Sequence, residues 1–241
     1  MTVKTIGALN VAGGAGKTPM TLWLAAVAAR LYGEDIPVFV VDLDAQATLT
    51  ELVAAKNDID VNGQAKEFYE GTHIADCAQL VTMFNHQFWF VANDVSGEAL
   101  DRIDTTEQLK AILSEYDEDF ILVCDLPPRQ SRVVENFVNV ANGIYCPVTA
   151  DQKGLNGFKR AVAMVETMDR YPVFHAIGTK HESHIRRKRI AIKEAREFSK
   201  SKKLPFRDPL PLMRGSDYDP DLELLKLFHD DAVSFLRQVI T

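Results

Sequence analysis

The chain has 241 residues, 46% hydrophobic and 25% charged, with a formal net charge of −7. That composition supports a buried core and excludes a mainly disordered chain, and the acidic balance excludes a molecule that is polybasic throughout. Three cysteines with no Cys/His ligand spacing exclude a disulfide framework and a zinc site, and the longest charge-free run, Cys77 to Asn93, is interrupted by Gln, Asn, His and Thr and is no membrane span.

The first segment, Val3 to Leu9, is an apolar strand that ends in a glycine-rich turn, with no signal-peptide character. Pro19 to Leu31 is rich in Ala and Leu and predicts a helix closed by Gly33. Val38 to Val41 is β-branched, aromatic and continuous, as in a strand buried on both faces. The region from Lys56 to Gln87 is the least legible and reads as helices and loops inserted in the same domain. Further strands are expected at Phe88 to Ala92, Phe120 to Cys124, Ile144 to Val148 and Val173 to Ile177. Helices are expected at Thr105 to Tyr116, Arg132 to Val140, Leu155 to Asp169, Ile185 to Lys202 and Leu222 to Ile240. Asn142-Gly143 reads as a turn, and Gly154 and Gly178 as later boundaries. Alternating strands and helices predict an α/β fold, a mainly parallel sheet with helices on both faces, in one domain over residues 1–241. Ligands on such sheets bind at the carboxyl ends of the strands. The chain is placed in a reducing cytoplasm, with no membrane partner.

Gly13-Gly14-Ala15-Gly16-Lys17-Thr18 follows an expected strand and opens an expected helix, the context of a phosphate-binding loop. Glycines let backbone N–H groups approach phosphate oxygens, and the helix N-terminus adds positive partial charge. Lys17 would reach the β- and γ-phosphates and Thr18 would hold Mg²⁺, while Pro19 suits the first helical turn. The usual G-x-x-x-x-G-K-[ST] pattern needs a Gly where this chain has Val11. After the second strand comes Asp42-Leu43-Asp44-Ala45-Gln46, two carboxylates on one face of a strand end; the plainer reading is a solvated turn. Phe120 to Asp125 looks like a strand that delivers a carboxylate towards Mg²⁺ through water.

Together these residues resemble the ParA/MinD family of deviant Walker A ATPases, whose members position plasmids, chromosomes and other large cargo. The loop, the Val41 to Gln46 segment, the Phe120 to Pro128 segment, the strand ending at Pro147 and the stretch Leu204 to Arg214 all match that family's order. The resemblance implies a P-loop ATPase that binds ATP and Mg²⁺, dimerises with ATP, binds DNA without sequence preference and answers to a partition or adaptor protein. Residue by residue, it implies phosphate contacts from Gly13 to Pro19, with Lys17 also catalytic. Asp44 would position the attacking water, Thr18 and Asp125 would hold the metal, and Asp42 would support the metal side. Pro211, Leu212 and Met213 would sit at the adenine. The family's signature lysine is replaced by Ala12. That departure implies slow hydrolysis, or another cation such as Lys153 or Arg129 in its place; a StbB-like plasmid-stability branch is the fitting subgroup. Lys153 follows the strand ending at Pro147 and is the better placed, though its plainer reading is a solvated surface lysine.

From Lys180 to Lys203 there are ten Lys/Arg against three Glu, while the rest of the chain is strongly acidic. On a helix, Arg186, Arg189, Lys193 and Arg196 share a face, with Arg187 beside them, and such a face meets DNA phosphates without reading bases. The bland alternative is a solvated helix. The C-terminal stretch from Leu222 is amphipathic but acidic, which favours core packing over membrane binding. Three functions therefore stand: an ATP-driven switch, a nucleotide-binding scaffold with little turnover, and a small-molecule ATP-dependent enzyme on the same fold.

Overall fold

The computed structural model describes residues 3–94, 107–168, 171–180, 182–207 and 222–240. Its strands form one sheet of order β3-β4-β2-β5-β1-β6-β7-β8. These are β1 (Lys4–Ala8), β2 (Val38–Asp42), β3 (Gln79–Met83), β4 (His86–Val91), β5 (Ile121–Asp125), β6 (Gly143–Thr149), β7 (Val173–Thr179) and the short β8 (Phe206–Arg207). All pairings are parallel except β3 with β4. The helices are α1 (Lys17–Tyr32), α2 (Thr48–Ala54), α3 (Gln64–Tyr69), α4 (Ile74–Cys77), α5 (Gln108–Leu113), α6 (Arg132–Val140), α7 (Gln152–Val165), α8 (Arg186–Ser201) and α9 (Leu222–Ile240).

Side-chain alternation along the strands divides the core in two. Val38, Val40, Ile121 and Val123 face α1, α2 and α9, whereas Phe39, Val41, Leu122 and Cys124 face helices α3 to α8. The central strands are buried on both faces, which is why they read as continuous apolar runs. The same alternation carries past the apolar stretch. Asp42 and Asp125 end β2 and β5 in register with each other, in phase with the residues that face α1. The site below follows from that parity.

Three sequence expectations need correction. The Lys56 to Gln87 region contains α3 and α4 but also strand β3, which hairpins onto β4 through Phe84 and Asn85, both at positive φ. Gly154 lies inside α7 and Gly178 inside β7, so neither is a boundary. A Cβ at Gly154 would lie 2.1 Å from Thr149 Oγ1, so glycine here serves close approach of helix to strand. From α9, Phe228, Ala232, Phe235, Leu236 and Val239 are buried against the α1 face, as expected of a core helix. Among the described residues, no helix is long and apolar enough to cross a membrane.

Candidate nucleotide-binding site

The segment between β1 and α1 is held from three sides. Asn10 is fully buried; its Oδ1 accepts the Ala12 N–H at 2.8 Å and its Nδ2 donates to the Pro147 carbonyl at 2.8 Å. The loop thus starts fixed to the end of β6. Helix α7 packs on the same spot: a Cβ at Gly157 would lie 2.0 Å from Asn10 Oδ1 and 2.9 Å from Ala12 Cβ. Ala12 is therefore buried against helix backbone. On the other side, Thr179 Oγ1 donates to the Ala15 carbonyl at 2.9 Å and Lys180 Nζ to the Gly14 carbonyl at 2.7 Å. Gly14 at φ +74° and Gly16 at φ +95° take left-handed conformations that other residues rarely adopt.

Helix α1 begins at Lys17, whose side chain is buried at 6% exposure. Burial lowers its pKa, opposed by Asp125 and then Asp44. An ammonium so poorly hydrated gains more from a phosphate than a solvated one would. Thr18 Oγ1 donates to Asp125 Oδ2 at 2.7 Å, and one turn later Thr21 Oγ1 donates to Asp125 Oδ1 at 3.1 Å. Asp125 is fully buried; burial raises its pKa, while Thr18 and Lys17 pull it back.

Asp42 is buried too, and both its oxygens are engaged within the protein. Oδ2 accepts the Thr50 N–H and hydroxyl, each at 2.9 Å, and Oδ1 accepts the Asp44 N–H at 3.0 Å. Burial first, then the Asp125 carboxylate, push its carboxyl up. Asp42 thus anchors α2 and the turn that carries Asp44. The Asp44 carbonyl is held by Asn93 Nδ2 at 2.9 Å, and its half-buried carboxylate accepts the Gln46 N–H at 3.1 Å.

The structure brings Gly13, Gly14, Ala15, Gly16, Lys17, Thr18, Pro19, Asp42, Asp44 and Asp125 to the carboxyl end of β1, β2 and β5. Lys153 joins them, its Nζ 3.9 Å from where a Cβ on Gly13 would stand. Arg129 is exposed in the loop after β5. Pro211, Leu212 and Met213 lie outside the described residues. Arg186, Arg187, Arg189, Lys193 and Arg196 are all exposed on α8, while Ala191, Ile192 and Ala195 turn inward. Sequence reasoning missed Asn10, Thr21, Thr50, Asn93 and Thr179, and took Lys180 only as the first charge of the basic stretch.

A divalent cation fits the Thr18–Asp125 pair, a hydroxyl and a carboxylate meeting at the end of the loop. Among the described residues, no group of three or more His, Cys, Asp or Glu forms a metal cage. A cation here would complete its shell with phosphate and water oxygens, the habit of Mg²⁺.

Residues 3–174 match the AAA domain family (AAA_31). A chromosome-partitioning ATPase, Soj, from Thermus thermophilus is 29% identical over 166 residues, 68% of this chain; the chain spans 62% of that relative's length. A plasmid partition protein from Borrelia burgdorferi, solved with AMPPNP, superposes with a TM-score of 0.76 at 17% identity over 99% of both chains. Cobyrinic acid a,c-diamide synthase from Mycobacterium smegmatis, solved with an ATP analogue and magnesium, gives 0.73 at 20% identity over 98% of this chain and 95% of its own. These structures share the fold with the eight-stranded, mostly parallel sheet described above. With a family match over residues 3–174, the chain belongs to the AAA domain family (AAA_31).

Proposed function

We propose that the chain is an ATP-binding switch that partitions or positions DNA or other large cargo. One observation carries the reading: a buried Lys17 beside the 2.7 Å Thr18–Asp125 pair, at the mouth of a loop with two left-handed glycines. In this reading the N–H groups of Gly13 to Thr18 and the Lys17 ammonium bind the phosphates. Thr18 and Asp125 hold Mg²⁺, which neutralises phosphate charge when bound. Asp44 orients the attacking water, and Asp42 fixes Asp44 through its N–H.

ATP joins two copies, and the exposed basic side of α8 then grips DNA phosphates without sequence preference. A partition or adaptor protein links the switch to its cargo. Ala12 supplies no charge to the transition state, so hydrolysis is slow; loss of an arginine-finger type cation costs roughly 10³–10⁵ in rate. The relatives support this reading by their partition roles. The likeness to cobyrinic acid a,c-diamide synthase keeps a second reading open, an ATP-dependent small-molecule enzyme, and Ala12 a third, a scaffold with almost no turnover.

An ATPase assay with and without DNA, paired with gel filtration in each nucleotide state, separates the three. The switch gives an ATP-dependent dimer and slow turnover that responds to DNA. A monomer in ATP whose turnover ignores DNA sinks it.

A further inference from the structure

We infer that Lys180 is a positioning cation of the phosphate loop: from the end of β7 it holds the Gly14 carbonyl and so aims the next N–H, that of Ala15, at the nucleotide. The inference rests on the nucleotide-binding reading above.

Two consecutive residues of β7's end hold two consecutive carbonyls of the loop. Thr179 Oγ1 takes the Ala15 carbonyl at 2.9 Å, and Lys180 Nζ takes the Gly14 carbonyl at 2.7 Å. In a trans peptide the C=O and the following N–H point opposite ways. Drawing the carbonyls of Gly14 and Ala15 towards β7 therefore turns the N–H groups of Ala15 and Gly16 away from it, as a phosphate cradle needs. A charged donor makes the stronger hydrogen bond, and bonding at the carbonyl polarises the peptide, so the Ala15 N–H becomes a better donor. The ammonium stands directly over Gly14, 3.9 Å from where a Cβ would be.

What ties Lys180 to the loop is its contact with the Gly14 carbonyl; its left-handed backbone it shares with Lys203 at φ +57°. The Lys180 φ of +54° is left-handed, which costs a non-glycine residue on the order of 1 kcal/mol or more. Lys188 Nζ holds the Lys180 carbonyl at 3.2 Å while pairing with Glu182, and both of those side chains are mostly buried. The position matters because Ala12 leaves the loop's first half without a charge of its own and is packed against Gly157.

The test is calorimetric titration of ATP with Mg²⁺ into the full chain and its Lys180→Gly, Lys180→Met and Lys180→Arg variants, with Lys17→Ala as the loop control. Thermal unfolding of each nucleotide-free protein accompanies it. Glycine adopts φ +54° freely, so Lys180→Gly should melt no lower than wild type yet bind ATP about ten- to a hundred-fold more weakly. Lys180→Met should lose affinity to a similar degree, and Lys180→Arg should recover most of it. Wild-type affinity in Lys180→Gly and Lys180→Met, with binding lost in Lys17→Ala, overturns the inference and leaves the nucleotide site standing. Parallel loss of melting temperature and affinity in Lys180→Gly, unrescued by Arg, also overturns it. Failure of the wild type to bind ATP removes both readings.

Discussion

At the scale of single residues, Asp42 and Asp44 show how similar side chains two positions apart take different work. Asp42 is enclosed, with three hydrogen bonds to Thr50 and the Asp44 backbone, whereas Asp44 keeps a half-buried carboxylate at the rim. Asp44→Ala should therefore bind ATP normally but turn it over roughly 10²–10⁴-fold more slowly, the scale of a lost general base or water-orienting group; unchanged turnover removes Asp44 from the chemistry. Gly157 offers a second check. Its Cβ would stand 2.0 Å from Asn10 Oδ1, and the contact is with a fixed loop, so Gly157→Ala should cost about 1–3 kcal/mol of stability and weaken ATP binding. A denaturation midpoint and ATP affinity equal to wild type would show that α7 does not hold the loop. The glycines, Lys17, Thr18 and the strand-end carboxylates were legible because their chemistry lies in local spacing. Asn10, Thr179 and Lys180 were not, because their partners lie 137 to 166 residues away along the chain.

Among the elements, β2, β5 and β6 were legible for the reason that they are stable: burial on both faces demands unbroken apolar runs. Strand β3 was not. It is an edge strand with Leu80 exposed, opposite a partly exposed Trp89, so apolar residues on the outer face blur the alternation. Its turn carries Phe84 and Asn85 at positive φ where a hairpin more often advertises Asn-Gly. Helix α8 was legible in extent and in charge, and its structure sharpens the test of its role. Arg186, Arg189 and Lys193 are exposed while Ala191, Ile192 and Ala195 form the inner side, so charge reversal of those three should leave the fold and ATP binding intact. The Arg186→Glu/Arg189→Glu/Lys193→Glu variant should weaken DNA binding alike on unrelated duplexes. It should also flatten the dependence of log K on log salt, by about 0.9 for each phosphate that the variant no longer neutralises. Wild-type-like binding in a salt titration returns α8 to a solvated face.

For the whole molecule, His175 offers a test of how stability depends on acid. His175 is buried on β7, with its ring 6.1 Å from that of Tyr145 and 5.3 Å from that of Phe235. Burial first, then Arg207, lower its pKa from 6.5 to about 4, against an opposing pull from Gln238. The folded state thus favours the neutral ring: its contribution is complete above the unfolded value and is lost as pH falls towards 4. Relative to His175→Phe, the wild type should lose about 1 kcal/mol or more between pH 7 and pH 5, with solvent screening allowed for. Urea midpoints at the two pH values check this, and parallel curves would exclude His175. The fold alone does not choose among functions, since a partition protein and an amide-forming synthase superpose on it about equally well. The basic α8 on an otherwise acidic chain is the feature on which the DNA-binding proposal is built, and the salt titration above tests it. The measurement that tests the central claim most directly is the affinity of the full chain for a non-specific duplex, at one salt concentration, with ATP and Mg²⁺ and then with ADP and Mg²⁺. The account predicts binding at least about tenfold tighter with ATP, a coupling of ordinary size for a ligand-driven switch. Equal affinity in the two nucleotide states would contradict it.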